Sequence, residues 1–297
     1  MTRRTTGVLL AMTSASGFGV MPVLTKVVYD DGAGPFGVLS VRFSVAAVLL
    51  FGLARLRREA LPRGRQLRDL ALLGGVGYVV ESLCYFSALT RISAGLTALL
   101  LYLYPALVVV LSAVVLRHRP SRPAVACVVV ATLGTGLTIG PVAGGQAVGV
   151  LLGLGAASSY ALYIVLSSTA AAGVGPLATS AVVMAACGLV YDALAVGTRA
   201  ALPSSAGAWT ALAGVTVLGT VVAVAAFFAA LSLLGPSDTA VLSTVEPVVS
   251  VGVAAVALGE TLSPVQLVGG ALVIGAVIAL ARAAPAPAST PVPLDAP

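Results

Sequence analysis

"GVLLAMTSASGFGVMPVL" at residues 7–24 has a counterpart in "GVLLGLGAASSYALYIVL" at residues 149–166, 142 positions further on. "YFSAL" from Tyr85 and "FFAAL" from Phe227 keep the same offset of 142. So do Pro105 with Pro247, Ser121 with Ser263, and Gly77 with Gly219. One region slips by a residue, where Gly34-Pro35 matches Gly175-Pro176. A single offset through nearly the whole half-chain is the mark of an internal duplication. It places residues 7–24 inside the repeated unit. Arg3 and Arg4 before an apolar run are therefore not read as a cleaved signal peptide.

The composition says what kind of unit is repeated. Of 297 residues, 59% are hydrophobic and 9% charged, and the mean hydropathy is +1.09. A soluble domain is about 25% charged. Apolar runs near twenty residues recur along the chain, the length of a membrane-spanning helix. The period-2 alternation of a transmembrane barrel is absent. Ten helices are expected, over 7–28, 35–54, 69–90, 94–116, 122–140, 148–168, 176–196, 208–232, 237–258 and 264–282. Clusters of Gly, Pro, Ser and charge separate them. "SPVQ" (Ser263–Gln266) reads as a helix start: Ser263 as N-cap, Pro264 first in the helix, Gln266 completing a capping box. Residues 283–297 read as a Pro/Ala-rich extended tail.

Five helices per half is an odd number, so the second half enters the membrane upside down. The expected fold is an all-α integral membrane protein, ten transmembrane helices as two inverted five-helix repeats. Residues 1–6 form a cytoplasmic N-terminus, 7–140 the first repeat and 148–282 the second. Basic residues orient it. With the N-terminus inside, 12 of the 16 Lys and Arg residues fall on the cytoplasmic side, as the positive-inside rule requires. Both termini are then cytoplasmic and the protein is multi-pass in the cytoplasmic membrane. The net charge of +6 is accounted for by this bias and does not call for nucleic acid.

Catalytic and metal signatures are missing. The chain contains no P-loop, GxSxG or HExxH pattern. Cys84, Cys127 and Cys187 lie in apolar runs and read as packing residues. His118, the one histidine, sits between Arg117 and Arg119, which argues against a metal ligand. No enzyme activity, cofactor or metal is expected. Inverted repeats are instead the signature of secondary transporters, because exchanging the roles of two halves generates both access states.

The chain resembles the EamA-like branch of the drug/metabolite transporter superfamily. The resemblance rests on "RF" at Arg42-Phe43, "YFSALTRISAGLTALLLYLYP" from Tyr85 to Pro105, and "EPVVSVGVAAVALGETLSPVQLVGG" from Glu246 to Gly270, and it covers about residues 7–282. It implies an exporter of a small polar or amphipathic metabolite or drug. It also implies a cavity near mid-membrane, between the first, third and fourth helices of each half. The chain departs from strict duplication where Arg117-His118 stands opposite Gly259-Glu260.

Glu81 lies about 11 residues into the third helix, roughly 16 Å from its start and close to the middle of a hydrocarbon core about 30 Å thick. A charge there costs about 2.5–3.5 kcal/mol on insertion scales, so Glu81 is expected to face inward. Gly74, Gly77, Tyr78, Cys84 and Tyr85 share its face; Val76, Val79, Leu83 and Phe86 form the hydrocarbon side. Arg42 lies at a similar depth, within one turn. Two readings stay open: an Arg42–Glu81 ion pair fixing the second helix on the third, or a cavity carboxylate that carries a proton or meets a cationic substrate. Glu246 is the second membrane carboxylate, on a stripe with Thr239, Ser243 and Ser250. No cation lies near it in sequence, so it is the better proton carrier. Pro105 and Pro247 each free a backbone carbonyl and read either as static kinks or as candidate hinges. Phe18, Met21, Tyr78, Glu81, Tyr85, Tyr102, Ser159, Tyr163, Ser243 and Glu246 are the candidate cavity residues. Glu260, at a helix junction, reads as structural.

The leading reading is an alternating-access secondary transporter working in efflux, with proton coupling. An importer or uncoupled uniporter is the alternative within transport; a membrane enzyme or scaffold is the alternative outside it. The expected partners are a small-molecule substrate, protons and the lipid bilayer.

Overall fold

A computed structural model describes residues 2–115, 122–139, 146–171, 173–234, 239 and 242–283. The expected tail beyond 283, the Arg117-His118-Arg119 cluster and Ser121 lie outside them. The described residues are helical, with no strand among them. The helices are α1 (Arg3–Asp30), α2 (Pro35–Leu56), α3 (Gly64–Ala88), α4 (Ala94–Leu101, resuming as Tyr104–Val115), α5 (Arg122–Ile139), α6 (Gln146–Ala170), α7 (Pro176–Thr198), α8 (206–234), α9 (Val245–Leu258) and α10 (Pro264–Ala283). Among the described residues, seven helices are long and apolar enough to cross a membrane. Val125–Thr138, Val245–Leu258 and Pro264–Leu280 are shorter apolar helices.

Local chemistry sets the ends. Thr2, Ser93 and Ser205 accept hydrogen bonds from the backbone N–H three residues on, at 3.1–3.2 Å, supplying orphan donors of the first turn. Pro35 and Pro176 open α2 and α7 directly after a glycine. The expected capping box is present: Gln266 N donates to Ser263 Oγ at 3.3 Å and Ser263 N to Gln266 Oε1 at 3.0 Å. Gly259, at φ +65°, ends α9 in the left-handed conformation that a Cβ disfavours. α1 and α3 begin at Arg3 and Gly64 rather than at 7 and 69. Hydropathy marks where the apolar span starts, whereas a helix continues as long as its backbone is satisfied. Arg65, Arg68 and Asp69 therefore ride on the exposed first turns of α3.

Two irregularities recur in both halves. α4 breaks at Tyr102–Leu103, three residues before Pro105. Proline offers no N–H to the carbonyl four residues back. The chain tightens there: Leu103 N reaches Leu100 O at 3.2 Å and Ala106 N reaches Leu103 O at 3.1 Å. A turn at Thr244 precedes Pro247 by the same three residues. α3 contains a wide π-turn at Leu73–Tyr78 and α8 one at Val217–Val222. Hydrophobic periodicity does not reveal such an insertion.

The helices pack in pairs that exchange when the halves exchange. α2 packs on α7 and α5 on α10; α1 packs on α8 and α9, just as α6 packs on α3 and α4. The interior is rich in alanine, with Ala11, Ala15, Ala46, Ala156, Ala178 and Ala181 buried, and small residues let helices approach closely. The outside is the reverse: Val256 is 90% exposed and Leu56 81%. Loop carboxylates clip one half to helix starts of the other. Glu59 accepts from Ala178 N at 2.8 Å, and Asp31 from Ser204 N at 2.6 Å and Ser205 N at 3.1 Å. Glu260 accepts from Ala94 N at 2.8 Å and Gly95 N at 3.1 Å, with Lys26 Nζ 4.0 Å away.

α5 and α10 cross at glycines. A Cβ added at Gly134 would stand 2.8 Å from Gly269 O, while one at Gly136 would meet nothing within 4 Å. Gly134→Ala is expected to destabilise the protein by about 1–3 kcal/mol through overpacking, and Gly136→Ala to leave it unchanged. Thermal unfolding in detergent compares them; equal midpoints for the two variants would contradict this crossing.

Candidate functional site

The helix breaks, the π-turns and the α1 crossing surround one two-lobed cavity. Its first lobe, about 80 Å³, is lined by Phe18, Met21, Arg42, Tyr78, Glu81, Tyr85, Phe86, Leu101, Tyr102, Tyr104, Tyr160 and Glu246. The second, about 200 Å³, shares Phe18, Arg42, Tyr78 and Tyr160 and adds Tyr163, Ser180, Met184, Thr220, Val224, Phe227 and Phe228. The two lobes adjoin across these four shared side chains. Together they fall just below the about 300–1,000 Å³ of drug-sized sites, which suits a small metabolite.

Three charged side chains meet in the first lobe. Arg42, 3% exposed, comes from α2. Its Nε donates to Thr220 Oγ1 at 2.9 Å. Its guanidinium carbon lies 4.8 Å from the Phe43 ring centroid and 4.9 Å from that of Phe86. Both are within cation–π range. Glu81, 7% exposed, comes from the α3 turn that follows the π-turn, and makes no hydrogen bond or ion pair among the described residues. Glu246, in the first turn of α9, accepts from Tyr102 Oη at 3.0 Å. The same hydroxyl approaches Ser243 O at 2.6 Å. Gly19 lets α1 close over this point: a Cβ there would stand 2.7 Å from Glu246 O.

The remaining wall is tyrosine. Tyr78 and Tyr163 have centroids 5.2 Å apart, Tyr104 and Tyr160 4.8 Å, and Tyr160 and Tyr163 stack at 6.2 Å. Such faces accept cations and apolar groups alike, and their hydroxyls offer hydrogen bonds.

Phe18, Met21, Tyr78, Glu81, Tyr85, Tyr102, Tyr163 and Glu246 all line the two lobes. Ser159 and Ser243 do not line either; their hydroxyls turn back onto Gly155 O at 2.7 Å and Thr239 O at 3.0 Å. Arg42 and Glu81 share the first lobe, but no ion pair joins them among the described residues; Thr220 and two phenylalanine rings hold the guanidinium instead. Phe86 and Val79, assigned above to the hydrocarbon side of the third helix, are 1% and 8% exposed. The reason is that α3 is enclosed by α2, α6 and α7 rather than by one neighbour, and the Phe86 ring is long enough to reach Arg42.

Tyr104, Tyr160, Thr220, Phe227 and Phe228 are lining residues that periodicity alone misses. The duplication contains the signal for them. At an offset of 142, Phe18 pairs with Tyr160, Met21 with Tyr163, Tyr78 with Thr220, Tyr85 with Phe227, Phe86 with Phe228, and Tyr104 with Glu246. Each member of these pairs lines the cavity.

The family model of the EamA-like transporter family matches residues 5–140 and again 147–282, the same offset of 142. A protein of Streptantibioticus cattleyicolor named "Probable terminal-alkyne amino-acid exporter" is 31% identical over 289 residues, 93% of this chain and 92% of its own length. The "Uncharacterized transporter YcbK" of Bacillus subtilis is 25% identical over 85% of each chain. A crystal structure of another protein shares the fold at a TM-score of 0.67 and 20% identity, over 94% of this chain and 98% of its own.

The Tyr102–Glu246 bond ties the α4 break to the start of α9. Tyr102→Phe and Glu246→Leu, each of which removes one partner of the bond, are each expected to lower stability by about 0.5–3 kcal/mol. Their combined loss should fall short of the sum by about 0.5 kcal/mol or more. Additive unfolding midpoints in the double variant would reject a direct bond.

Proposed function

The chain belongs to the EamA-like transporter family, and on that footing we propose that it exports a small amino-acid-like zwitterion by alternating access. As a member of that family it is a multi-pass membrane transporter whose partners are a small molecule and the bilayer. One observation carries the finer reading: a guanidinium and two carboxylates line one lobe, and the Glu81 carboxylate has no hydrogen-bond or ion-pair partner among the described residues. The Nη atoms of Arg42 are free to take a carboxylate as a fork, and Glu81 takes the ammonium opposite. The tyrosine faces and the second lobe receive the side chain. The 31% identical relative named as an amino-acid exporter supports that substrate class.

The same site has a means of coupling. Two carboxylates against one guanidinium leave a surplus negative charge, and a zwitterion brings none to balance it. A proton on Glu246 completes the balance, and its release and uptake on opposite sides would drive export. Alternating access rests on the exchangeable helix pairing and on the matched breaks before Pro105 and Pro247, which act as hinges. In this reading the second half is inverted, all ten helices cross the cytoplasmic membrane, and both termini are cytoplasmic.

A reporter placed after Ala283 should then be cytoplasmic and one inserted in 140–145 external; the same side for both would refute the inverted arrangement. In proteoliposomes, L-propargylglycine should be concentrated by an imposed pH gradient. Arg42→Ala should raise its KM by at least about thirtyfold, the equivalent of about 2 kcal/mol for a stranded charge partner. Glu246→Gln should abolish concentration yet keep exchange at equal concentrations. Normal concentration by Glu246→Gln would exclude coupling through that residue, and equal transport of propargylglycine and its carboxamide would exclude zwitterion recognition.

A further inference from the structure

The geometry points to Thr220 as the positioning residue that aims the Arg42 guanidinium at the substrate carboxylate. The inference rests on the zwitterion reading above. Thr220 is 1% exposed and sits inside the π-turn Val217–Val222 of α8. Its hydroxyl has two partners. It approaches Val215 O, five residues back, at 3.0 Å, and Arg42 Nε at 2.9 Å. A hydroxyl has one proton and a guanidinium nitrogen cannot accept, so the directions are forced: Thr220 donates to the carbonyl and accepts from Arg42. The carbonyl contact fixes the hydroxyl's lone pairs toward α2.

The consequence for Arg42 is specific. A long side chain has considerable rotamer freedom to lose when it is held in one pose. Here Nε is bonded to Thr220, and the rings of Phe43 and Phe86 bracket the guanidinium carbon at 4.8 and 4.9 Å. Those contacts leave both Nη atoms without a hydrogen-bond partner among the described residues, on a side chain that lines the first lobe. A guanidinium held by Nε presents its Nη side as a fixed fork, the arrangement a carboxylate accepts in two parallel bonds. Thr220 stands where the first half has Tyr78. Tyrosine at that position would carry its hydroxyl about one ring length farther out, past Arg42 Nε. The π-turn accounts for the rest: it widens the helix so that Val215 O, five residues back, is left for a side chain.

Thr220→Val keeps the shape and removes the hydroxyl; Thr220→Ser restores it. Two readouts separate positioning from packing. The first is the ratio of transport efficiency (kcat/KM) for L-propargylglycine over its carboxamide, which keeps the ammonium and side chain but lacks the carboxylate. Loss of one hydrogen bond to a charged group predicts a fall of about tenfold in that ratio for Thr220→Val, recovered in Thr220→Ser. The second needs no substrate: phenylglyoxal modification of Arg42, followed by peptide mass spectrometry, should be faster in Thr220→Val than in wild type or Thr220→Ser. A wild-type ratio near one overturns the zwitterion reading itself, and the labelling rate still decides the Thr220–Arg42 bond. A wild-type preference retained in full by Thr220→Val, or equal labelling of Arg42 in all three proteins, overturns the role given to Thr220.

Discussion

A guanidinium inside an apolar helix bundle must be surrounded by groups that replace water, and Arg42 shows how many elements that requires. A charge at the centre of a membrane helix is costly, and arginine does not shed its proton to escape the cost. α2 brings the side chain in. α8 supplies Thr220 Oγ1 at 2.9 Å. α2 and α3 supply the rings of Phe43 and Phe86. The π-turn in α8 and the close packing of α2 on α7 are both needed to bring these groups to one point. Moving any of these helices by a turn would strand the charge.

Two carboxylates then act against that one cation. Glu246 is tied to Tyr102 at 3.0 Å, so the α4 break and the beginning of α9 are held together by a single hydroxyl. Glu81 has no hydrogen bond or ion pair among the described residues and is placed by the orientation of α3. Buried polar groups are ordinarily hydrogen-bonded within the protein, and sites that depart from that rule are commonly those that exchange a ligand or a proton. Among the described residues, Glu81 and the Nη atoms of Arg42 are such departures, and both side chains line the same lobe.

The scaffold is duplicated while the chemistry is not. Helix pairing is unchanged when the halves are exchanged, and cavity-lining positions come in pairs 142 residues apart. Yet Glu81 pairs with Ala223, Glu246 with Tyr104, and Thr220 with Tyr78. Each membrane carboxylate therefore occurs once, with alanine standing opposite Glu81 and tyrosine opposite Glu246. In the Phe18/Tyr160, Tyr85/Phe227 and Phe86/Phe228 pairs both copies are aromatic.

The amino-acid sequence by itself determined the helices, their order and their duplication, because apolar runs of membrane-crossing length and a constant offset of 142 are one-dimensional properties. It also singled out Arg42, Glu81 and Glu246, since ionisable residues in such runs have few places to go. The tertiary structure decided what those residues do to each other. Depth along a helix made Arg42 and Glu81 look like partners, but partnership depends on rotation and on competing neighbours. The π-turns at Leu73–Tyr78 and Val217–Val222 change that rotation through backbone hydrogen bonds that leave no trace in hydropathy. Thr220, Phe43 and Phe86 therefore hold the guanidinium for which the sequence offered Glu81 as one possible partner. An extra residue in a helical turn shifts everything after it by about 100°, and only the packed bundle shows where that shift has been made.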